Sequence, residues 1–185
     1  RRQRQMCIRD RTYEFQTGNE IEELAHTNVQ DVSIYSGLTE TNLEGDLNII
    51  GVDASQDEYR MLLSADFGQI PLNPSMNVHS VSLAIHLEDF NFGAGATGMT
   101  FTVHRVITTG WSETTATWNG TGAALWAAPG MQAGVDYDST PIDTFFMSNL
   151  QAIDTTIHFN LGHRMMYIDG VHSWVIIGTP SQGWM

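Results

Sequence analysis

The chain has no lysine, a single cysteine, and no apolar run long enough to cross a membrane. Each absence excludes something. Arginine is the main source of positive charge, with eight residues against 21 acids and a net charge of −13. Nucleic-acid grooves and anionic lipid surfaces need clustered Lys and Arg, so no nucleic-acid partner is expected. A membrane helix needs about 20 consecutive apolar residues, so no membrane insertion is expected. One thiol cannot build a disulfide framework. What is present is 42% hydrophobic residues in a chain of 185, enough to fill the core of one domain.

The charge is unevenly placed. Residues 1–11, Arg1 to Arg11, hold five of the eight arginines and the cysteine. They show no apolar periodicity and lack the apolar stretch of about 7–15 residues that a signal peptide needs. The string resembles a translated sequencing adapter of the kind carried into metagenomic reading frames. It is expected to be an artefactual or disordered leader outside the fold, a real basic arm being the competing reading. Residues 12–185 then form the domain. They keep three arginines (Arg60, Arg105, Arg164) against 20 acids, a net −17, and no cysteine. Such an acidic, thiol-free chain suits a salty extracellular medium, where screening blunts self-repulsion, or equally an acidic halophile cytosol.

The hydropathy pattern reads as β. Val81-Ser82-Leu83-Ala84-Ile85-His86-Leu87 alternates large apolar with small or polar residues, as a half-buried strand does. Met61, Leu63, Ala65 and Phe67 share one face of a second strand. Val32–Tyr35, Leu47–Val52, Phe101–Ile107, Thr155–Phe159 and Trp174–Ile177 are further strands. Turn signals separate them: residues 72–75, 91–95, 119–122 and Pro129-Gly130. Helical signals are few, a turn over Glu20–Ala25 and a short helix over Gly162–Asp169. The expected fold is an all-β jelly-roll sandwich of two antiparallel sheets.

Residues for chemistry are scarce. The histidines are scattered, with no zinc-type pair four apart beside a glutamate. There is no G-x-S-x-G and no thiol nucleophile in residues 12–185. Glu88 and Asp89 are adjacent on a strand and point to opposite faces, so they cannot pair as a glycosidase dyad. No enzyme is expected. Asp136, Asp138 and Thr140 make one oxygen-rich loop, and Asp53 and Asp57 another. Calcium is the one cofactor such loops could hold, against the blander reading of solvated acids. Trp111, Trp118, Trp126 and Tyr137 offer rings on which the apolar faces of sugars stack. Trp111 and Trp118 read as core. Trp126 and Tyr137, in a long Gly/Ala/Pro-rich loop, are the candidate carbohydrate-binding residues.

One stretch carries a family resemblance. Tyr59-Arg60-Met61-Leu62-Leu63-Ser64-Ala65-Asp66-Phe67 with Ile70-Pro71, then Val103-His104-Arg105-Val106, Trp111-Ser112-Glu113 and Ala116-Thr117-Trp118-Asn119, resemble the DNRLRE-type domain, related to a family of carbohydrate-binding modules. Phe15–Gly18, Asp31–Ile34, and Phe159 to Trp174 continue the likeness over nearly all of residues 12–185. Ala65, Phe67 and Asn160 depart from the usual Phe, Leu and Asp. The resemblance implies a jelly-roll module of secreted and surface proteins, and a chain that stops before the closing strand, leaving an unpaired edge. It marks Arg60, Asp66, Arg105, Trp111, Glu113 and Trp118 as a structural motif. A carboxylate taken out of water needs a partner, so Arg60 or Arg105 is expected to pair with Glu113 or Asp66.

The expected function is a non-catalytic, extracellular carbohydrate-binding-like module whose partner is a polysaccharide. The alternative is a spacer or protein-docking module of a surface assembly, adhesin or virion, whose partner is a surface protein. An exposed aromatic platform favours the first; a flat polar surface with an open edge favours the second.

Overall fold

The computed structural model describes residues 6–17, 20–23, 29–45, 48–69, 78–90, 96–150, 155–162 and 170–182. Among these residues eleven strands follow one another: β1 (Met6–Thr17), β2 (Glu20–Glu23), β3 (Val29–Tyr35), β4 (Asn48–Ile49), β5 (Gly51–Val52), β6 (Glu58–Asp66), β7 (Val78–Phe90), β8 (Ala96–Arg105), β9 (Asp143–Ser148), β10 (Thr155–Asn160) and β11 (Val171–Gln182). The only helical elements among the described residues are single 3-10 turns at Ser36–Leu38 and Phe67–Gln69. No helix among them is long and apolar enough to cross a membrane.

The pairings between these strands are all antiparallel and build two sheets. The first runs β10-β7-β1-β2, with β4 also on β1; the second runs β3-β6-β11-β8-β9, with β5 also on β6. From β6 onward the chain passes repeatedly between them: β7 in the first, β8 and β9 in the second, β10 in the first, β11 in the second. This is jelly-roll winding, and it closes a β-sandwich. The alternation in β7 works as read: Val81, Leu83, Ile85 and Leu87 are buried. They meet Met61, Leu63, Ala65, Phe101, Val103, Trp174 and Ile176 of the second sheet, with Ile157 and Phe159 of β10 beside them.

Two expectations need correction. Strand β1 begins at Met6, and Met6, Cys7, Ile8 and Arg11 pair with Phe90, Asp89, Leu87 and Ile85. Residues 6–11, expected outside the fold on composition, therefore lie in the first sheet. The register slips at Cys7/Ile8 and between Ile8 and Arg11, which marks bulges where the basic segment meets β7. Glu20–Glu23, read as a turn, is β2 and pairs with Glu14–Thr17. The helix expected over Gly162–Asp169 and the turns at 72–75 and 91–95 fall largely or wholly outside the described residues.

The second sheet is covered on both faces over half its length. Residues 107–142, between β8 and β9, fold back over its outer surface as an irregular cap. Under the cap lies a second core: Val32, Ile34, Leu62, Val106, Trp111, Ala116, Trp118, Trp126, Met131, Tyr137 and Val175. This explains why Leu62 and Leu63 are both fully buried although neighbours on a strand face opposite ways. Among the described residues, none caps the outer face of the other half, on β8, β9 and the C-terminal part of β11.

Candidate functional site

The cap decides what the sequence-predicted residues do. Its backbone turns on Pro129-Gly130: the Met131 amide donates to the Ala128 carbonyl at 2.9 Å, and Gly130 has φ +78°. Proline in the second position and a positive φ in the third make a type II turn. Trp118 packs against this turn, and the Gly130 amide donates to its carbonyl. Trp126 is 4% exposed, and its indole N–H donates to the Thr117 carbonyl at 2.9 Å. Tyr137 is 8% exposed and meets the His104 ring edge-on at 5.1 Å. The two residues expected to stack on sugar are therefore core residues of the cap. The reason is local. Burying four aromatics inside an irregular loop removes far more apolar surface from water than its backbone could otherwise offset.

Asp136 is likewise internal. At 2% exposure its Oδ2 accepts the amides of Ala127 and Gln132, at 2.9 and 2.7 Å, and its Oδ1 accepts the Thr108 hydroxyl at 2.8 Å. Its carbonyl accepts the amides of Ile107 and Thr108. These bonds close the cap on itself. Asp138 is exposed and engages through its backbone, to Arg105 and His104. The two carboxylates proposed for calcium thus have separate surroundings, and no group of three or more metal-type side chains occurs among the described residues. Asp53 shows the same logic in a turn: its Oδ1 accepts the Ser55 and Asp57 amides, and its Oδ2 the Tyr35 hydroxyl at 2.6 Å.

The expected pairing of Arg60 or Arg105 with Glu113 or Asp66 gives way to another arrangement. Arg60 bonds Glu58 at 2.8 Å, two residues away on the same face of β6. It donates to the carbonyls of Gly130 and Met131, and its guanidinium lies 5.2 Å from the centre of the Trp118 ring. It clips cap to sheet through cation–π and carbonyl contacts together. Glu113 accepts the Asp31 amide, Asp66 accepts the Gly68 amide, and the Arg105 side chain is exposed.

Two sheet surfaces stay open among the described residues: the outer side of β10, with Thr156, His158 and Asn160 exposed, and the uncapped half of the second sheet, which alone carries an exposed aromatic ring. The core residues Met99, Phe101, Val103 and Met147 point inward. Gly98, Thr100 and Thr102 on β8, and Thr144 and Phe146 on β9, therefore point outward. Thr100 stands opposite both Thr179 and Phe146; Thr102 opposite Ile177 and Thr144. A Cβ added at Gly98 would lie 2.8 Å from Phe146 Cζ, so the ring rests over that glycine while 52% of the residue stays exposed. A cleft of 290 Å³ opens at the far side of the same face, between β5, β6 and β11, lined by Gly51, Val52, Glu58, Tyr59, Thr179 and Pro180. Sequence reasoning missed Phe146, although Thr144-Phe145-Phe146-Met147 is a run of strand formers.

No family model matches the chain, and no curated protein matches it in sequence.

His104 stands at the seam between cap and open face. Its Nδ1 lies 2.8 Å from the Asp138 carbonyl and its Nε2 3.0 Å from the Thr102 hydroxyl. Burial pushes its pKa down and the charge of Arg60 adds to this; the Asp138 carbonyl and charge pull the other way without winning. For Asp53, burial raises the pKa, but the bonds from Tyr35, Asp57 and Ser55 together hold it below the usual range. Both groups resist protonation when folded and accept it more readily when unfolded. Stability contributed by His104 is thus complete above its unfolded value of 6.5 and declines as pH falls below it; that from Asp53 declines below 3.8. Melting temperature against pH is expected to dip first below about pH 6.5, and His104→Gln is expected to remove that first dip alone.

Proposed function

We propose that the chain is a non-catalytic glycan-binding module of a secreted or surface protein, and that the uncapped half of the second sheet is its binding face. The observation that carries this is Phe146, an aromatic ring laid over Gly98 and left half exposed among outward threonines. A ring seated on a flat sheet offers its open face to the C–H side of a sugar, and hydroxyls beside it serve the polar rim. Of the acids considered for catalysis, Asp136 is engaged inside the cap and Glu113 accepts the Asp31 amide, while Glu88 and Asp89 are neighbours on β7. The likeness to DNRLRE-type domains points the same way.

A second reading, a protein-docking or spacer module, is favoured by one feature. Strand β9 is the last in its sheet's order, and Ile142 and Leu150 flank it at 37% and 91% exposure. Such an edge can take an added strand from another protein.

A binding screen against immobilised neutral and acidic polysaccharides, with and without calcium, tests the proposal. Retention on at least one glycan is expected, reduced at least tenfold by Phe146→Ala with an unchanged melting profile. A well-folded protein that no glycan retains would transfer the function to docking. Binding that survives Phe146→Ala would move the site elsewhere.

A further inference from the structure

The open face does not end at Phe146. Thr100 links Phe146 on β9 to Thr179 on β11, and Thr179 is itself a wall of the cleft at Glu58 and Val52. Phe146 and the cleft are thus two ends of one surface that crosses β9, β8, β11 and β6. With strands about 4.8 Å apart, those four strands span about 14 Å, longer than one sugar ring.

Charge then selects the ligand. Between Phe146 and Thr179 the outward residues are threonines and Ile177, none basic. Arg60 borders the face, but its guanidinium is held by Glu58, two carbonyls and Trp118. Glu58 at the cleft is neutralised by the same pair, and the chain as a whole carries −13. Among the described residues of this face a uronate polymer would meet no free cation, and the chain's net charge would repel it. An uncharged polymer meets hydroxyl donors and acceptors and an apolar ring.

We propose that this face binds a linear, uncharged polysaccharide laid across the strands. One sugar stacks on Phe146, and a sugar further along inserts its hydroxyl rim into the cleft at Glu58. This rests on the glycan-binding reading above and adds ligand class and length to it.

Isothermal titration of the full chain separates the two. The probes are the disaccharides and hexasaccharides of β-1,4-glucan, β-1,3-glucan and β-1,4-mannan, with hexamannuronate as the charged comparator. At least one neutral hexasaccharide is expected to bind ten times or more tightly than its disaccharide, with hexamannuronate weaker. Val52→Arg, which fills the cleft mouth, is expected to erase the length advantage while leaving disaccharide binding in place. Thr179→Asp, exposed midway, is expected to weaken the hexasaccharide tenfold without shifting the melting temperature. Equal affinity for di- and hexasaccharide would overturn the spanning site and leave glycan binding standing. Tighter binding of hexamannuronate would overturn the ligand class. No binding by any probe, with the fold intact, would remove the glycan reading and this inference with it.

Discussion

Replacing Asp136 with alanine is expected to destabilise the protein by about 3–5 kcal/mol, because buried donors left without acceptors cost about 1–3 kcal/mol each. Three donors lose their acceptor at once: the Ala127 and Gln132 amides and the Thr108 hydroxyl. The hydroxyl can turn elsewhere; the amides cannot. Asp136→Asn is the informative companion. Its carbonyl oxygen can take the two amides and its NH₂ can donate to Thr108, so geometry survives and only the charge is lost. The asparagine variant is expected to cost about 1 kcal/mol, the ordinary value of a neutral hydrogen bond. Urea unfolding followed by tryptophan emission measures both. Trp111, Trp118 and Trp126 report the cap, and Trp174 the inter-sheet core. Equal costs for the two variants would mean that charge, not acceptor geometry, holds the cap together.

Gly130→Ala is expected to cost about 3 kcal/mol, by two separable causes, backbone strain and overpacking. The residue has φ +78°, which an alanine tolerates poorly, and its new Cβ would sit 2.3 Å from Cζ2 of Trp118. The indole cannot retreat easily, since Arg60 lies over its ring. Gly134 provides the control. It has the same φ of +78° but nothing within 4 Å of a built Cβ. Gly134→Ala therefore carries the backbone cost alone, about 1 kcal/mol. The difference between the two variants is the price of moving Trp118. If they cost the same, the tryptophan is looser than its burial suggests.

The two sheets were legible in the sequence because one-sided burial writes itself as alternation. Val81 to Leu87 and Met61 to Phe67 could be oriented residue by residue. The cap was not legible. Its backbone follows turns set by Pro129-Gly130 and by Asp136, and neither imposes a period that marks an apolar side chain as inward. Trp126 and Tyr137 thus looked exposed for being in a loop, and are buried because the loop is itself a layer. One signal was there to be used: Met61-Leu62-Leu63 has no polar face, which a strand covered on one side only would need. Residues 1–11 read as a leader from their composition and adapter-like string, yet composition says nothing about which backbone groups a neighbouring strand leaves to be paired, and β7 pairs with residues from Met6 on.

The position of β11 has a consequence for how the chain is made. It pairs with β6 through Val171–Ile177 and with β8 through Trp174–Gln182. While residues up to 170 leave the ribosome, β6 and β8 each wait with one side unpaired. Val175, which lies beneath the cap beside Leu62, is still missing. The nascent chain can form hairpins but cannot close the second sheet, and the tryptophans of the cap have only part of their floor. Closure joins distant segments late in synthesis, so folding is expected to be slow for the chain's size, with these edges exposed until synthesis has passed Gln182.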